Sequence, residues 1–372
     1  MTSIERNLTE FSNRPQELEG LSMPAEWAPH ERTVIAFPNR IEQWGDRLRE
    51  GQHAWAHVAR TIAEFEPVSL LTTPRDAEAA AELAAHPNIT IVEMPLNDAW
   101  LRDTAPIYVT GPAVSPNSSN ALSNAPSNAP SNGVSRRRVG LDFTFNGWGN
   151  KYVPHDDDDR IPRRWTAYNG DARYQVDMIL EGGSITVDGE GTVVTTEQCL
   201  LNPNRNPHLS RKHIEDKLCA SLGVTKVIWV PYAIDDRDTD GHIDIVAAFI
   251  QPGKILWQGC DDPHDAEHTR LAISRRCLDG TLDAAGRALQ IVDVPVLPYV
   301  EIEGERLPVP YANLYICNGG VIVPVTGHPA DEDMLAIIAD AWPDRKVVGV
   351  PGDIIAFGGG GPHCITQQIP IP

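Results

Sequence analysis

Short β-branched apolar runs alternate with stretches of helical periodicity along most of the chain. From residue 182 onward one order, strand, strand, helix, strand, recurs three times. The first unit reads GGSITV and GTVVTT, a helix near 208–222, then TKVIWVP; the second reads GHIDIVAAFI and KILWQG, a helix near 264–278, then ALQIVDVP. The third reads YANLYICN and GGVIVPV, a helix near 330–341, then KVVGVP. The first half is looser: TVIAFP, a helix near 47–65, PVSLLTT, a helix near 75–85, ITIVEMP, then TAPIYV and LDFTF. Repeats tens of residues apart point to units stacked around an axis or along a solenoid, and the helices inside them exclude an all-β propeller. The pattern allows about five α/β units to close into a ring. Length alone suggests about two domains, but a ring makes one domain of 1–372.

One segment breaks the pattern. Residues 113–133, AVSPNSSNALSNAPSNAPSNG, are almost all Ser, Asn, Ala and Pro, and Arg136, Arg137 and Arg138 follow. Such a stretch buries too little apolar surface to offset its ordering entropy, so a flexible insertion over 113–138 is expected. Composition then narrows the function. The 372 residues carry 31 Lys and Arg against 51 Asp and Glu, a formal charge of −20. That balance argues against nucleic acid and anionic membrane surfaces and favours neutral or cationic ligands. The N-terminus, MTSIERNLTEF, has no apolar signal segment, and no run approaches the roughly 18 apolar residues of a span. A cytoplasmic location is expected. Cys199, Cys219, Cys260, Cys277, Cys317 and Cys364 form no C-x-x-C pair, so neither a zinc site nor a disulfide framework is expected. Buried structural thiols are expected at all of them except Cys364. With twelve scattered histidines and no HExxH pair, no metal is expected either; the run Asp156–Asp159 reads as a solvated loop.

Five polar features lie beside the strands: Trp100–Asp103, Glu181-Gly182-Gly183, Asp240–Asp244, Asn318-Gly319-Gly320, and the glycine run ending Pro362-His363-Cys364. If the units circle an axis, they meet at one mouth. His242 and Asp244, two apart on an expected strand, would share a face and act as proton carrier and charge partner. A solvated strand face is the alternative, but the apolar IVAAFI that follows favours burial. Cys364 follows four glycines, which let backbone N–H groups approach a ligand, and a thiol there can be a nucleophile. In an extended strand His363 would point away from its neighbour Cys364, making His242 the better base; the same reasoning prefers Asp103 to Arg102. Asp103 and Glu181 are ordinary carboxylates when taken singly. Together with His242, Asp244 and Cys364 they make an inventory too acidic for an oxyanion. It suits a planar cation: guanidinium offers five N–H donors to paired carboxylates, and a thiolate can attack its central carbon.

The motifs W-L-R-D-T, L-E-G-G-S-I, T-T-E-Q-C-L-L-N-P-N-R-N-P-H-L-S, D-T-D-G-H-I-D, N-G-G-V-I-V-P and G-G-G-G-P-H-C-I-T-Q-Q, from residue 23 to the C-terminus, together resemble the agmatine deiminases (agmatine iminohydrolases). These form the bacterial peptidylarginine-deiminase-type branch of the guanidine-modifying (pentein) superfamily. The resemblance implies a five-bladed pseudosymmetric α/β-propeller of ββαβ repeats. It implies hydrolysis of agmatine to N-carbamoylputrescine and ammonia, a step toward putrescine, with no cofactor and no metal, in a homo-oligomer (dimer or tetramer). By the same resemblance Cys364 matches the nucleophile that forms the amidino-thioether and His242 the acid–base. Asp103 and Asp244 match the carboxylates gripping the guanidinium, Glu181 the orienter of His242, and Trp100 an aromatic wall. Asp238 stands where the family often has Glu near the distal amine. Ala105, Gly361, Pro362 and F-N-G-W-G-N-K also depart from the family pattern. These changes leave the chemistry intact and bear on the substrate, so arginine, peptidyl-arginine or another guanidine is the alternative. An amidinotransferase or a non-catalytic cation-binding scaffold stands further off.

Overall fold

The computed structural model describes residues 14–112 and 136–372. The expected insertion lies outside them as far as residue 135. Arg136–Arg138 are not part of a loop: they open a strand in which Arg138 is buried, bonded to Asp171, Glu31 and the carbonyl of Pro370.

Among the described residues, four sheets share one plan, in which an antiparallel hairpin is followed by a crossover helix and a parallel third strand. Ile107–Pro112 pairs antiparallel with Arg136–Thr144, which pairs parallel with Ala172–Ile179 after the helix Ile161–Asn169. Ile185–Val187, Thr192–Thr196 and Lys226–Val230 repeat the plan around the helix Arg211–Leu222. Ala247–Gln251, Lys254–Gln258 and Gln290–Val294 do so around Ala266–Leu278, and Tyr315–Cys317, Gly320–Val325 and Lys346–Pro351 around Asp331–Ala341. The fifth sheet uses both ends of the chain. His30–Ala36 pairs antiparallel with the C-terminal strand Thr366–Pro370 and parallel with Val68–Thr72, which pairs with Ile89–Glu93. A separate hairpin, Tyr299–Ile302 with Glu305–Pro308, completes the strands.

Local chemistry explains the element ends. Ser210 caps its helix by accepting from His213 N–H, and Gly223 at φ 72° closes it in the left-handed conformation. In Leu48–Ala63 the buried positions Trp55, Val58, Ala59 and Ile62 fall on one helical face. That face carries packing toward the site: Trp55 is fully buried, edge-on to Trp44 and to Trp100, each at 5.3 Å between ring centroids. Cys199, Cys219, Cys260 and Cys317 are buried as expected; Cys277 is exposed, a correction that follows from its place on the wet side of its helix. The acidic run is also less solvated than expected. Asp158 is buried, accepts from the backbone N–H of Asn97 and Asp98, and is pushed up to about 8 by burial and by the Asp98 charge.

Replacing Trp55 by Ala removes the ring that joins Trp44 to Trp100. Unfolding stability is expected to fall by about 3–5 kcal/mol, measured from urea midpoints.

Candidate active site

Each sheet brings a polar residue to the entry of one antiparallel strand. Asp103 lies in the helical turn Leu101–Thr104, before Ile107–Pro112. Glu181 precedes the 3-10 turn Gly182–Ser184, before Ile185–Val187. His242 precedes the 3-10 turn Ile243–Ile245, which holds Asp244, before Ala247–Gln251. Asn313 stands just before Tyr315–Cys317, and Cys364 just before Thr366–Pro370. Neighbouring entries touch in a closed cycle. Gly183 N–H donates to Asp103 Oδ1 at 2.9 Å, and His242 Nε2 faces Glu181 Oε2 at 3.9 Å. Asn313 Nδ2 donates to the Asp244 carbonyl at 3.1 Å, His363 N–H to the Asn313 carbonyl at 3.3 Å, and Arg102 N–H to the Cys364 carbonyl at 3.1 Å.

Trp100, Asp103, Glu181, His242, Asp244 and Cys364 are thus brought together, though two of the local premises fail. His242 and Asp244 are not on a strand; they flank and enter a helical turn, because Asp240 at φ 61° and Gly241 at φ 82° fold the chain back ahead of them. Cys364 is likewise in a turn, and the glycine run ends the helix Asp353–Gly358. His363 therefore does not simply point away: its Nδ1 lies 2.7 Å from Asp244 Oδ2 and its Nε2 2.8 Å from Glu26 Oε1. Asn318-Gly319-Gly320 is not at the site. Asn318 instead bonds Glu66 and both backbone groups of His30.

Burial sets the electrostatics. Glu181 is fully buried and its Oε1 accepts from Arg205 Nε at 2.6 Å, while Arg205 also reaches Asp240 Oδ2 at 2.6 Å. His242 is 1% exposed, with Nδ1 3.7 Å from Asp103 Oδ1. Burial alone would lower its pKa, but Asp103, the adjacent Cys199 thiol and Asp244 together lift it to about 10. Asp103, which also accepts from Trp148 Nε1 at 2.9 Å, is pushed up by burial and by Asp244 and Glu181, against the pull of His242. Cys364 Sγ lies 3.6 Å from Asp244 Oδ2 and 3.4 Å from Asn313 Oδ1; burial and the charges of Asp244 and Asp103 push its thiol well up. Glu181 Oε2, Asp244 Oδ1 and both His242 ring nitrogens are buried with no hydrogen-bond partner. Buried polar atoms are rarely left so, and here they belong to a linked cluster in which His242 faces Asp103 and Glu181 and Asp244 touches the Cys364 thiol.

A narrow cleft of about 20 Å³ opens onto Asp103 and Cys364, lined also by Gln43, Trp100, Trp148, Tyr152, Asp238, Thr239, Gly358 and Gly359. At its far wall Asp238 accepts from Tyr152 Oη at 2.5 Å, and burial with the Asp236 charge pushes Asp238 up. Trp148 and Tyr152 were missed by sequence reading. They follow an unusual backbone in which Gly147, Trp148, Gly149 and Asn150 all have positive φ, and the G-W-G-N string was the available signal. Asn313 was missed too, although it occupies the repeat position taken by Asp103 and Cys364. Gly183 is fixed by crowding: a Cβ there would meet His242 Nδ1 at 2.5 Å and Asp103 and Asp244 oxygens at 3.0 Å.

Glu181, Cys199 and His242 each place one ligand-type atom within 4.8 Å of the others. The mixed O, S and N set could hold a thiophilic cation, but Arg205 already supplies a positive charge to Glu181, and a second cation beside it is electrostatically opposed. The arrangement is thus a buried thiol, an imidazole raised to about 10 and carboxylate oxygens without partners.

The family model for the Porphyromonas-type peptidyl-arginine deiminase matches residues 22–370. An agmatine deiminase of Stutzerimonas stutzeri is 38% identical, covering 98% of this chain and 99% of its own. The solved agmatine deiminase of Enterococcus faecalis is 33% identical with a TM-score of 0.86, covering 96% of this chain and 98% of that one. A C. jejuni agmatine deiminase variant, solved with substrate bound, is 27% identical with a TM-score of 0.80, covering 94% and 96%. With its mixed α/β fold and a match over nearly its whole length, the chain belongs to the Porphyromonas-type peptidyl-arginine deiminase family.

Proposed function

We propose that the protein hydrolyses the guanidinium group of agmatine, giving N-carbamoylputrescine and ammonia through a covalent amidino-thioether on Cys364. The observation that carries this is a buried thiol 3.6 Å from Asp244 Oδ2, in a cluster where Asp103 and Glu181 flank a protonated His242 and where oxygens of Asp244 and Glu181 lack partners. The guanidinium lies between Asp103 and Asp244 with Trp100 beside it. Its charge offsets the two carboxylates that hold the Cys364 thiol protonated, so binding favours loss of the thiol proton to solvent. The thiolate attacks the central carbon. His242, kept charged by Asp103 and Asp244, gives its proton to the departing nitrogen, which leaves as ammonia. Now neutral, His242 takes a proton from water as the oxygen attacks the amidino carbon; the C–S bond then breaks, the hydroxyl proton passes to solvent as the carbonyl forms, and the thiolate is returned. Glu181, clamped by Arg205, orients His242. At the cleft's far wall Asp238 receives the distal ammonium. It would repel the α-carboxylate of arginine, which favours the decarboxylated amine over arginine or a peptidyl C-terminal arginine.

The closed cycle of strand entries, together with the pairing of the first and last strands, supports one domain in which the five sheets form a five-bladed α/β-propeller. Among the described residues no helix is long and apolar enough to cross a membrane. That is compatible with a cytoplasmic enzyme acting on a small cation as a homodimer or homotetramer.

Cys364→Ala is expected to abolish ammonia release from agmatine; full activity in that variant would sink the assignment. Asp238→Asn is expected to raise KM for agmatine about tenfold with little change in kcat, and to narrow the preference for agmatine over arginine. His242 is the acid only while protonated, and its folded pKa is raised to about 10. Activity of the free enzyme, followed as kcat/KM, is therefore expected to fall as pH climbs through that value. The same shift contributes stability that is complete below the unfolded histidine value of about 6.5 and is lost as pH rises toward about 10. His242→Asn is expected to remove that alkaline loss from the urea midpoint.

A further inference from the structure

His363 is used by none of the steps above, yet it is 4% exposed and both of its ring nitrogens face carboxylate oxygens, Asp244 Oδ2 at 2.7 Å and Glu26 Oε1 at 2.8 Å. A neutral imidazole carries one N–H and one lone pair, so one of these two short contacts would set a lone pair against a carboxylate; only the doubly protonated ring donates to both. Glu26 is itself held: its carboxyl lies 3.4 Å from Arg102 Nη1, whose Nε donates to the His363 carbonyl. Burial would push Glu26 up, but His363 and Arg102 hold it down at about 2. The residue's backbone is equally fixed, since its N–H donates to Asn313 and its carbonyl also accepts from Thr366 Oγ1.

The consequence falls on Asp244. Its Oδ2 is engaged by His363 and lies 3.6 Å from the Cys364 thiol, while its Oδ1 is buried and unpaired, so the imidazolium fixes which oxygen is left without a partner. We propose that His363 is a positioning residue for substrate recognition, a buried imidazolium strung between Glu26 and Asp244 that orients Asp244 to receive the guanidinium. It touches neither the substrate nor the reacting atoms. Without it, Asp244 Oδ2 would keep only its 3.6 Å contact with the Cys364 thiol, and the carboxylate would lose the orientation that pairs it with a planar cation. The proposal rests on the guanidine-hydrolase reading and adds to it a residue whose effect is on binding.

Two amides separate the two bonds. The side-chain nitrogen of Asn can stand near the position of Nδ1 and keep the donation to Asp244; that of Gln can stand near Nε2 and keep only the donation to Glu26. Steady-state kinetics with agmatine are measured for wild type, His363→Asn and His363→Gln, with thermal midpoints alongside. KM is expected to stay within about fivefold of wild type for His363→Asn and to rise at least about tenfold further for His363→Gln, with kcat moving much less, in line with the loss of one charge-assisted hydrogen bond. A glutamine-to-asparagine KM ratio below about tenfold, or a loss confined to kcat, would overturn the proposal, because a merely structural role would not tell the two nitrogens apart. If the glutamine chain does not fold, His363→Asn alone decides: a KM raised more than about fivefold sinks the idea. A wild-type chain inert toward agmatine would instead remove the substrate assignment, and the same KM comparison would then be made with arginine.

Discussion

Four carboxylates, Asp103, Glu181, Asp244 and Glu26, are buried close together, and everything near the site answers the cost of holding them there. An isolated buried charge is strongly disfavoured unless it is paired and hydrogen-bonded. Arg205 clamps Glu181, while Arg102 and His363 serve Glu26. His242 faces Asp103 on one side and Glu181 on the other. The pairing stops short of completion, since Glu181 Oε2 and Asp244 Oδ1 keep no partner. A cation delivered by a ligand would complete it. The free site is therefore less satisfied than the occupied one, and that difference in free energy is available for binding and for lowering the hold on the Cys364 proton.

The backbone follows from the same constraint. Four acids and two histidines can meet only if the chain between them takes little room. Gly182 packs where a Cβ would sit 2.1 Å from the Arg102 carbonyl, and Gly183 where one would strike the His242 ring. Gly360 lies against Trp100 and Cys364 in the same way. At Trp148 and Asp240 the chain accepts positive φ without glycine's freedom, a conformation that costs free energy and persists where surrounding contacts fix it. Those contacts are visible. Trp148 donates to Asp103, and Asp240 holds both Arg205 and Lys151.

Much of this could be read from residues alone, and what could not has a common cause. Most strand and helix positions from Thr192 to Pro351 follow hydrophobic periodicity, because period survives whatever the tertiary contacts are; the turn Ile243–Ile245, read as strand, and the unread hairpin Tyr299–Pro308 are the exceptions. The candidate site residues came from composition and resemblance, while the geometry invoked for them was wrong in detail. Gly241 and the run ending at Gly361 turn the chain, so the alternation assumed for His242, Asp244 and Cys364 does not apply. His363 was set aside on that assumption. Asn313 and Glu26 were invisible for another reason: neither carries a motif of its own, and each matters through a partner more than fifty residues away, at Asp244 or at His363. Asn318 shows the reverse error, a conspicuous Asn-Gly-Gly whose side chain ties the fifth sheet to the fourth.

The cycle of entries also bears on how Cys364 is held in place. Cys364 leads directly into Thr366–Pro370, and that strand pairs with His30–Ala36. Arg102, at the entry of the neighbouring sheet, fixes the Cys364 carbonyl from the other side. The position of the thiol is therefore set by the first strand, the last strand and the turn before Ile107 together, three segments that meet only when both ends of the chain are in place. Loop closure on that scale costs conformational entropy and yields long-range contacts only late. A site that needs both ends of the chain is complete only once they have paired, so a chain in which they are apart would leave the thiol without its charge partners.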